Sequence, residues 1–105
     1  MGQFVNVLGS RYSVKTNNEA VTFDGSCSFY TKEIELRPCE KMLDSDSDEK
    51  ARQSRYKEVI RHELVHAFLF ESGLDEYARN EQLVDWIAVQ VPKMNAVFEE
   101  LNALE

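Results

Sequence analysis

Both histidines of the chain fall within six residues, Arg61-His62-Glu63-Leu64-Val65-His66, inside an otherwise apolar run. This H-E-x-x-H pattern constrains the fold strongly, because its chemistry requires a helix. Residues four apart on a helix share one face about 5.4 Å further along, so His62 and His66 can present their imidazoles side by side. Neutral imidazoles suit a borderline ion such as Zn²⁺, which at catalytic sites takes three protein ligands and keeps the fourth position open. Glu63, beside the first ligand, is placed to take a proton from water on that ion, whose pKa is drawn down towards about 7. It can then return the proton to a leaving amine. The competing interpretation is a buried helix with incidental histidines; the ligand spacing of the chain's only two argues against it.

The helical pattern runs from about Ala51 to Glu71. Val59, Ile60, Leu64, Ala67 and Phe68 form its apolar stripe, with the histidines beside Val59 and Leu69 at three-residue spacing, and Gly73 is the expected C-terminal cap. A second helix is expected from Glu76 or Arg79 to Gln90. Pro92 should break it after Val91 and open a final helix, Lys93 to about Leu104.

The motif supplies two ligands, and the helix returning along it must supply the third. Val84, Ala88 and Val91 lie three, seven and ten residues after Glu81, so Glu81 shares the inward stripe. Metal binding would offset the several kcal/mol that burying an unpaired carboxylate costs. Asp85, one turn on, is the rival ligand or an acceptor holding an imidazole N–H. Glu71 and Glu76 lie near the turn and are less suitable. Candidates to stabilise a developing oxyanion are Tyr30, Tyr56, Tyr77, Arg61 and Arg79, which the sequence does not rank.

The first half carries β patterns. Residues 3 to 8 and 12 to 16 form a hairpin turned by Gly9-Ser10. Asn17-Asn18 is a turn, residues 20 to 23 a short strand, and Asp24-Gly25 another turn. The cleanest alternation is Lys32-Glu33-Ile34-Glu35-Leu36-Arg37, with Ile34 and Leu36 facing the core and Pro38 ending the strand. The expected class is α+β: a small, mainly antiparallel sheet followed by the metal-binding helix and two further helices. Asp44, Asp46 and Asp48 imitate a calcium loop, but Glu49 stands where it needs glycine and Arg55 where it needs glutamate. Residues 44 to 50 therefore read as a polar link, with Ser47 or Asp48 capping the helix.

One hundred and five residues make one domain, 1 to 105, and a net charge of −7 without a basic block excludes general affinity for nucleic acid or anionic membrane. A nucleic-acid mimic that sequesters a host factor is a third, weaker reading, because the acids are dispersed and not massed on one face. No run approaches a membrane span and no secretory leader is evident, so a cytoplasmic protein is expected. Met1-Gly2 does not extend to a myristoylation signal, since Asn6 occupies the hydroxyl position. Cys27 and Cys39 read as free thiols, with a cysteine ligand a minor alternative.

Two segments, His62-Glu63-Leu64-Val65-His66-Ala67-Phe68-Leu69 and Glu81-Gln82-Leu83-Val84-Asp85-Trp86-Ile87-Ala88 with the later Pro92, resemble the ImmA/IrrE-type zincin metallopeptidases of phages, mobile elements and bacterial stress regulation. Val84 and Asp85 stand where that family carries a small residue and an asparagine, and no helix-turn-helix region is attached. The resemblance implies a zincin-like fold, zinc held by His62, His66 and Glu81, and Glu63 as catalytic base. It also implies a protein or peptide substrate, such as a transcriptional repressor, in a host cytoplasm. In zincins an edge strand near the zinc helix commonly pairs with extended substrate, a role this likeness would give to Lys32, Glu33, Ile34, Glu35 and Leu36. A zincin-fold binding module that regulates a partner without catalysis is the alternative.

Overall fold

A computed structural model describes residues 2–18, 23–42 and 48–105. Strand β1 (Gln3–Val7) pairs antiparallel with β2 (Ser10–Thr16) through a two-residue turn at Leu8-Gly9. Strands β3 (Gly25–Ser28) and β4 (Glu33–Leu36) pair antiparallel, and β4 lies parallel to β2. The sheet order is β1-β2-β4-β3. Helix α1 (Glu49–Glu71), the short α2 (Asp75–Ala78) and α3 (Glu81–Glu100) follow, completing the expected α+β architecture. The strand expected over 20–23 and the aspartates of the polar link lie largely outside the described residues; Phe23 is an exposed bend.

The core lies between the sheet and α1. Val7, Tyr12, Ile34 and Leu36 from the strands meet Met42, Val59 and Ala67, with Ile60 and Leu64 packed alongside. Phe68, expected in this stripe, is 42% exposed. Asp48 caps α1 by accepting from the Ala51 N–H at 2.7 Å. Its other end closes on Gly73, whose positive φ of 81° lets Gly73 N–H reach Phe70 O and Leu74 N–H reach Leu69 O.

The sheet corrects one sequence expectation. Strand β4 is hydrogen-bonded on both sides, so Glu33, Ile34, Glu35 and Leu36 have no free edge for a substrate. Lys32 is not in the strand: it sits in the preceding turn at φ 58° and its ammonium binds Glu71. The edges are β1 and β3, and the one beside β4 is β3, whose Gly-Ser-Cys-Ser sequence carries little intrinsic β propensity and is held by its pairing with β4.

Pro92 gives a second correction, because α3 runs through it to Glu100 and the helix break falls at Arg79-Asn80 instead. A proline inside a helix leaves the carbonyl four residues back without its donor. That carbonyl is Ala88 O, and Arg61 Nε donates to it at 2.7 Å from α1. One of the expected oxyanion donors is thus occupied in sustaining the helix that Pro92 should have ended.

Glu71 joins the end of α1 to the sheet. Its carboxylate accepts from Ser10 Oγ and from Tyr12 Oη, each at 2.7 Å, and from Lys32 Nζ. Lys32 first, then Ser10 and Tyr12, hold the carboxyl at about 2, well below its ordinary 4.5. Stability from this ionised group is fully present above about pH 4.5 and is lost as pH falls towards 2. Glu71→Gln should cost about 2 kcal/mol at neutral pH. In acid-unfolding titrations the gap between variant and wild type should close below about pH 4.5. A gap constant down to pH 2 would assign the cost to shape and not to charge.

Candidate metal centre

His62 and His66 lie on the side of α1 that faces the start of α3, while Val59 and Ala67 face the sheet. Asn80 caps α3 by accepting from Leu83 N–H at 3.0 Å, which fixes Glu81 in the helix's first turn. There a carboxylate is also favoured by the helix dipole. Glu81 Oε1 lies 2.9 Å from His62 Nε2 and Oε2 lies 3.2 Å from His66 Nε2. Among the described residues these three form a group able to hold a metal ion. Ligands about 2.0–2.1 Å from a tetrahedral ion lie roughly 3.3 Å from one another, close to the separations of Glu81 from the two rings.

The hydrogen bonding around His66 supports the same conclusion. Its Nδ1 is 2.6 Å from Ala78 O, so that nitrogen carries the proton and donates. In a neutral ring Nε2 then presents a lone pair to a carboxylate, an acceptor-to-acceptor contact that a cation between them resolves. The position of Glu81 differs from expectation in one respect: its side chain is 72% exposed and not part of a buried stripe. It reaches the histidines because α3 begins beside them, and it leaves the site open on that side. Asp85 Oδ1 stands 3.6 Å from His62 Nδ1, on the far side of the ring from Glu81 and beyond hydrogen-bond distance. Glu76 lies in α2, outside the group. Cys27 and Cys39 are free thiols, and neither belongs to it.

Glu63 is 6% exposed. Burial raises its pKa; nearby His62 and His66 oppose the rise and Glu81 adds to it. Behind it β3 approaches so closely that a Cβ on Gly25 would lie 3.1 Å from Glu63 Oε2 and 2.7 Å from Val59 Cγ1. Asp24 holds this approach in place: its Oδ2 accepts from Arg55 Nε and Nη2, both at 3.0 Å, and its Oδ1 pairs with Arg37 Nη1 at 2.9 Å. The sequence had shown Asp24-Gly25 only as a turn and Arg55 only as a residue that spoils a calcium loop.

These residues border a cleft of about 890 Å³, lined also by Phe23, Cys27, Phe29 and Arg79. Burial pushes the Cys27 thiol up to about 12, so it stays protonated. Of the five candidate oxyanion donors Arg79 alone lines the cleft. Its guanidinium lies over the Phe29 ring and its Nε donates to Asp75. Tyr56 packs against the core, and Tyr30 and Tyr77 are exposed. No described helix is long and apolar enough to cross a membrane. Comparison with protein-family models, curated proteins and solved structures gave no match.

Proposed function

We propose that this chain is a zinc-dependent peptidase of the zincin type, acting on a cytoplasmic regulatory protein, of which a transcriptional repressor is the specific candidate. The observation that carries the reading is the convergence of His62, His66 and Glu81 beside the buried carboxylate of Glu63. Two imidazoles and one carboxylate are a donor set suited to zinc at a catalytic site. Bound there, zinc would supply a Lewis acid that polarises a carbonyl and acidifies water.

The protein's own groups account for the remaining requirements. Glu63 accepts the proton of the attacking water and returns it to the leaving amine. Ala78 O fixes the proton on Nδ1 of His66, and the charge of Asp85, 3.6 Å from His62 Nδ1, would favour a proton on that nitrogen. The edge of β3 offers a place for extended substrate. Arg37 N–H donates to Asp24 O, so in the alternating antiparallel ladder the outward-facing backbone groups are those of Gly25 and Cys27. A peptide pairing with them would run along the cleft, with Arg79 bordering it as a donor to a developing oxyanion.

Metal analysis of purified protein tests the centre directly. About one zinc per chain is expected, with loss from His62→Ala, His66→Ala and Glu81→Ala. Stoichiometric zinc retained in both histidine variants would eliminate this site.

A further inference from the structure

Beside the metal centre two cations and two aromatic rings form a single stack. The Phe29 and Phe70 rings lie 6° from parallel with centroids 4.4 Å apart. The Lys32 ammonium sits over Phe70, 5.0 Å from its centroid, and the Arg79 guanidinium over Phe29 at 5.2 Å. Rings this close leave no room between them, so each cation takes an outer face, where the ring quadrupole attracts it. Phe29 and Lys32 come from the turn between β3 and β4, Phe70 from the last turn of α1, and Arg79 from the C-cap of α2. At one end Lys32 is tied to Glu71. At the other, Arg79 borders the cleft and its Nε donates to Asp75 Oδ1 at 3.1 Å and Oδ2 at 3.3 Å. Tyr30 stands edge-on to Phe70, 5.8 Å between centroids, and its hydroxyl also interacts with Arg79.

The fold gains little from holding Arg79 in this way. Its side chain is 53% exposed, and an exposed ion pair such as that with Asp75 adds little stability. Fixing so long a side chain also costs rotamer entropy. A donor that must meet charge formed only in a transition state gains directly, because its orientation is set before the reaction begins. Phe29 links the two places: its ring centroid lies 6.3 Å from that of His66, so the ring that carries Arg79 also borders a metal ligand. We propose that Phe29, Phe70 and Asp75 are positioning residues that hold Arg79 at the cleft for its part in turnover. The part of Arg79 as oxyanion donor rests on the peptidase reading; its restraint by the stack does not.

Two measurements on the full, zinc-loaded chain test this. In NMR the side-chain Nε–Hε signal of Arg79, assigned by its loss in Arg79→Ala, should report a rigid group in wild type and a mobile one in Asp75→Asn and Phe70→Leu. A signal already mobile in wild type overturns the proposal. The second measurement is turnover of a peptide taken from a blocked random library because wild type cuts it. Arg79→Ala should lower kcat about 100-fold with KM unchanged. Phe70→Leu and Asp75→Asn should each lower kcat about tenfold, and Phe70→Tyr, which keeps the ring, should restore most of it. Added to Arg79→Ala, Phe70→Leu should change kcat no further, because it acts through the missing guanidinium. An equal loss in both backgrounds, no restoration by Phe70→Tyr, or a loss confined to KM, the mark of an anchor for a substrate carboxylate, overturns it. A library left uncut by wild type while Arg79 is rigid sinks the peptidase reading and leaves the positioning standing; uncut with Arg79 mobile, it sinks both.

Discussion

Glu63→Gln is expected to retain zinc and the fold while cleavage falls by about 10²- to 10⁴-fold. The substitution keeps the side chain's shape within a space bounded by Gly25 and Val59, so packing is preserved. An amide cannot take up the proton of the attacking water, which removes the step the carboxylate performs. Burial raises the pKa of Glu63, so the ionised form is held at an energetic cost that the neutral amide does not carry. Thermal stability should accordingly be unchanged or higher, a pattern typical of a site kept for chemistry and not for the fold. Since the substrate is defined by class, the measurement compares new protein N-termini in cells producing wild type or Glu63→Gln. Termini that depend on wild type support peptidase action. If the variant binds zinc and retains the full biological effect, the chain acts as a zincin-fold binding module.

The histidine pair was legible because its geometry is local. Once residues 51–71 are helical, His62 and His66 must share a face, and the observed helix extends over them without interruption. Glu81 was reached by a less direct route: periodicity suggested a buried carboxylate, whereas the side chain is largely exposed and meets the histidines at the beginning of α3. What places it is the break at Arg79-Asn80, which follows from the Asn80 cap. Pro92 was misjudged because a proline's cost depends on whether another element satisfies the carbonyl it orphans. Arg61, distant in sequence, does so.

Strand order was the least accessible feature. The alternation of residues 32–37 shows which side chains face the core, but it holds equally for an edge strand and for one paired on both sides. Only the parallel pairing of β2 with β4 decides between them, and that contact joins segments with another strand between them in sequence. The strand left at the edge was hidden by its small, polar composition. Its most informative residue, Gly25, has its significance in a contact 38 positions away in the chain, with Glu63.

Gly25→Ala tests that contact and should lower turnover by about 100-fold, because a 1 Å displacement of a reacting group costs on that order. The added methyl would lie 2.7 Å from Val59 Cγ1, which cannot give way freely because Val59 is only 3% exposed. Overpacking of this kind costs about 1–3 kcal/mol, visible as a lower denaturation midpoint. The two effects can be separated with Val59→Ala, which relieves the aliphatic clash but leaves the methyl 3.1 Å from Glu63 Oε2. Combined with Gly25→Ala it should cost less stability than the sum of the single variants, a coupling of roughly 1 kcal/mol. Turnover should stay low in the pair and zinc content normal throughout, since neither substitution touches His62, His66 or Glu81. Recovery of turnover together with stability would show that Gly25 serves packing alone. Persistent loss after stability returns would identify the missing Cβ as what allows β3 to hold the base against the metal centre.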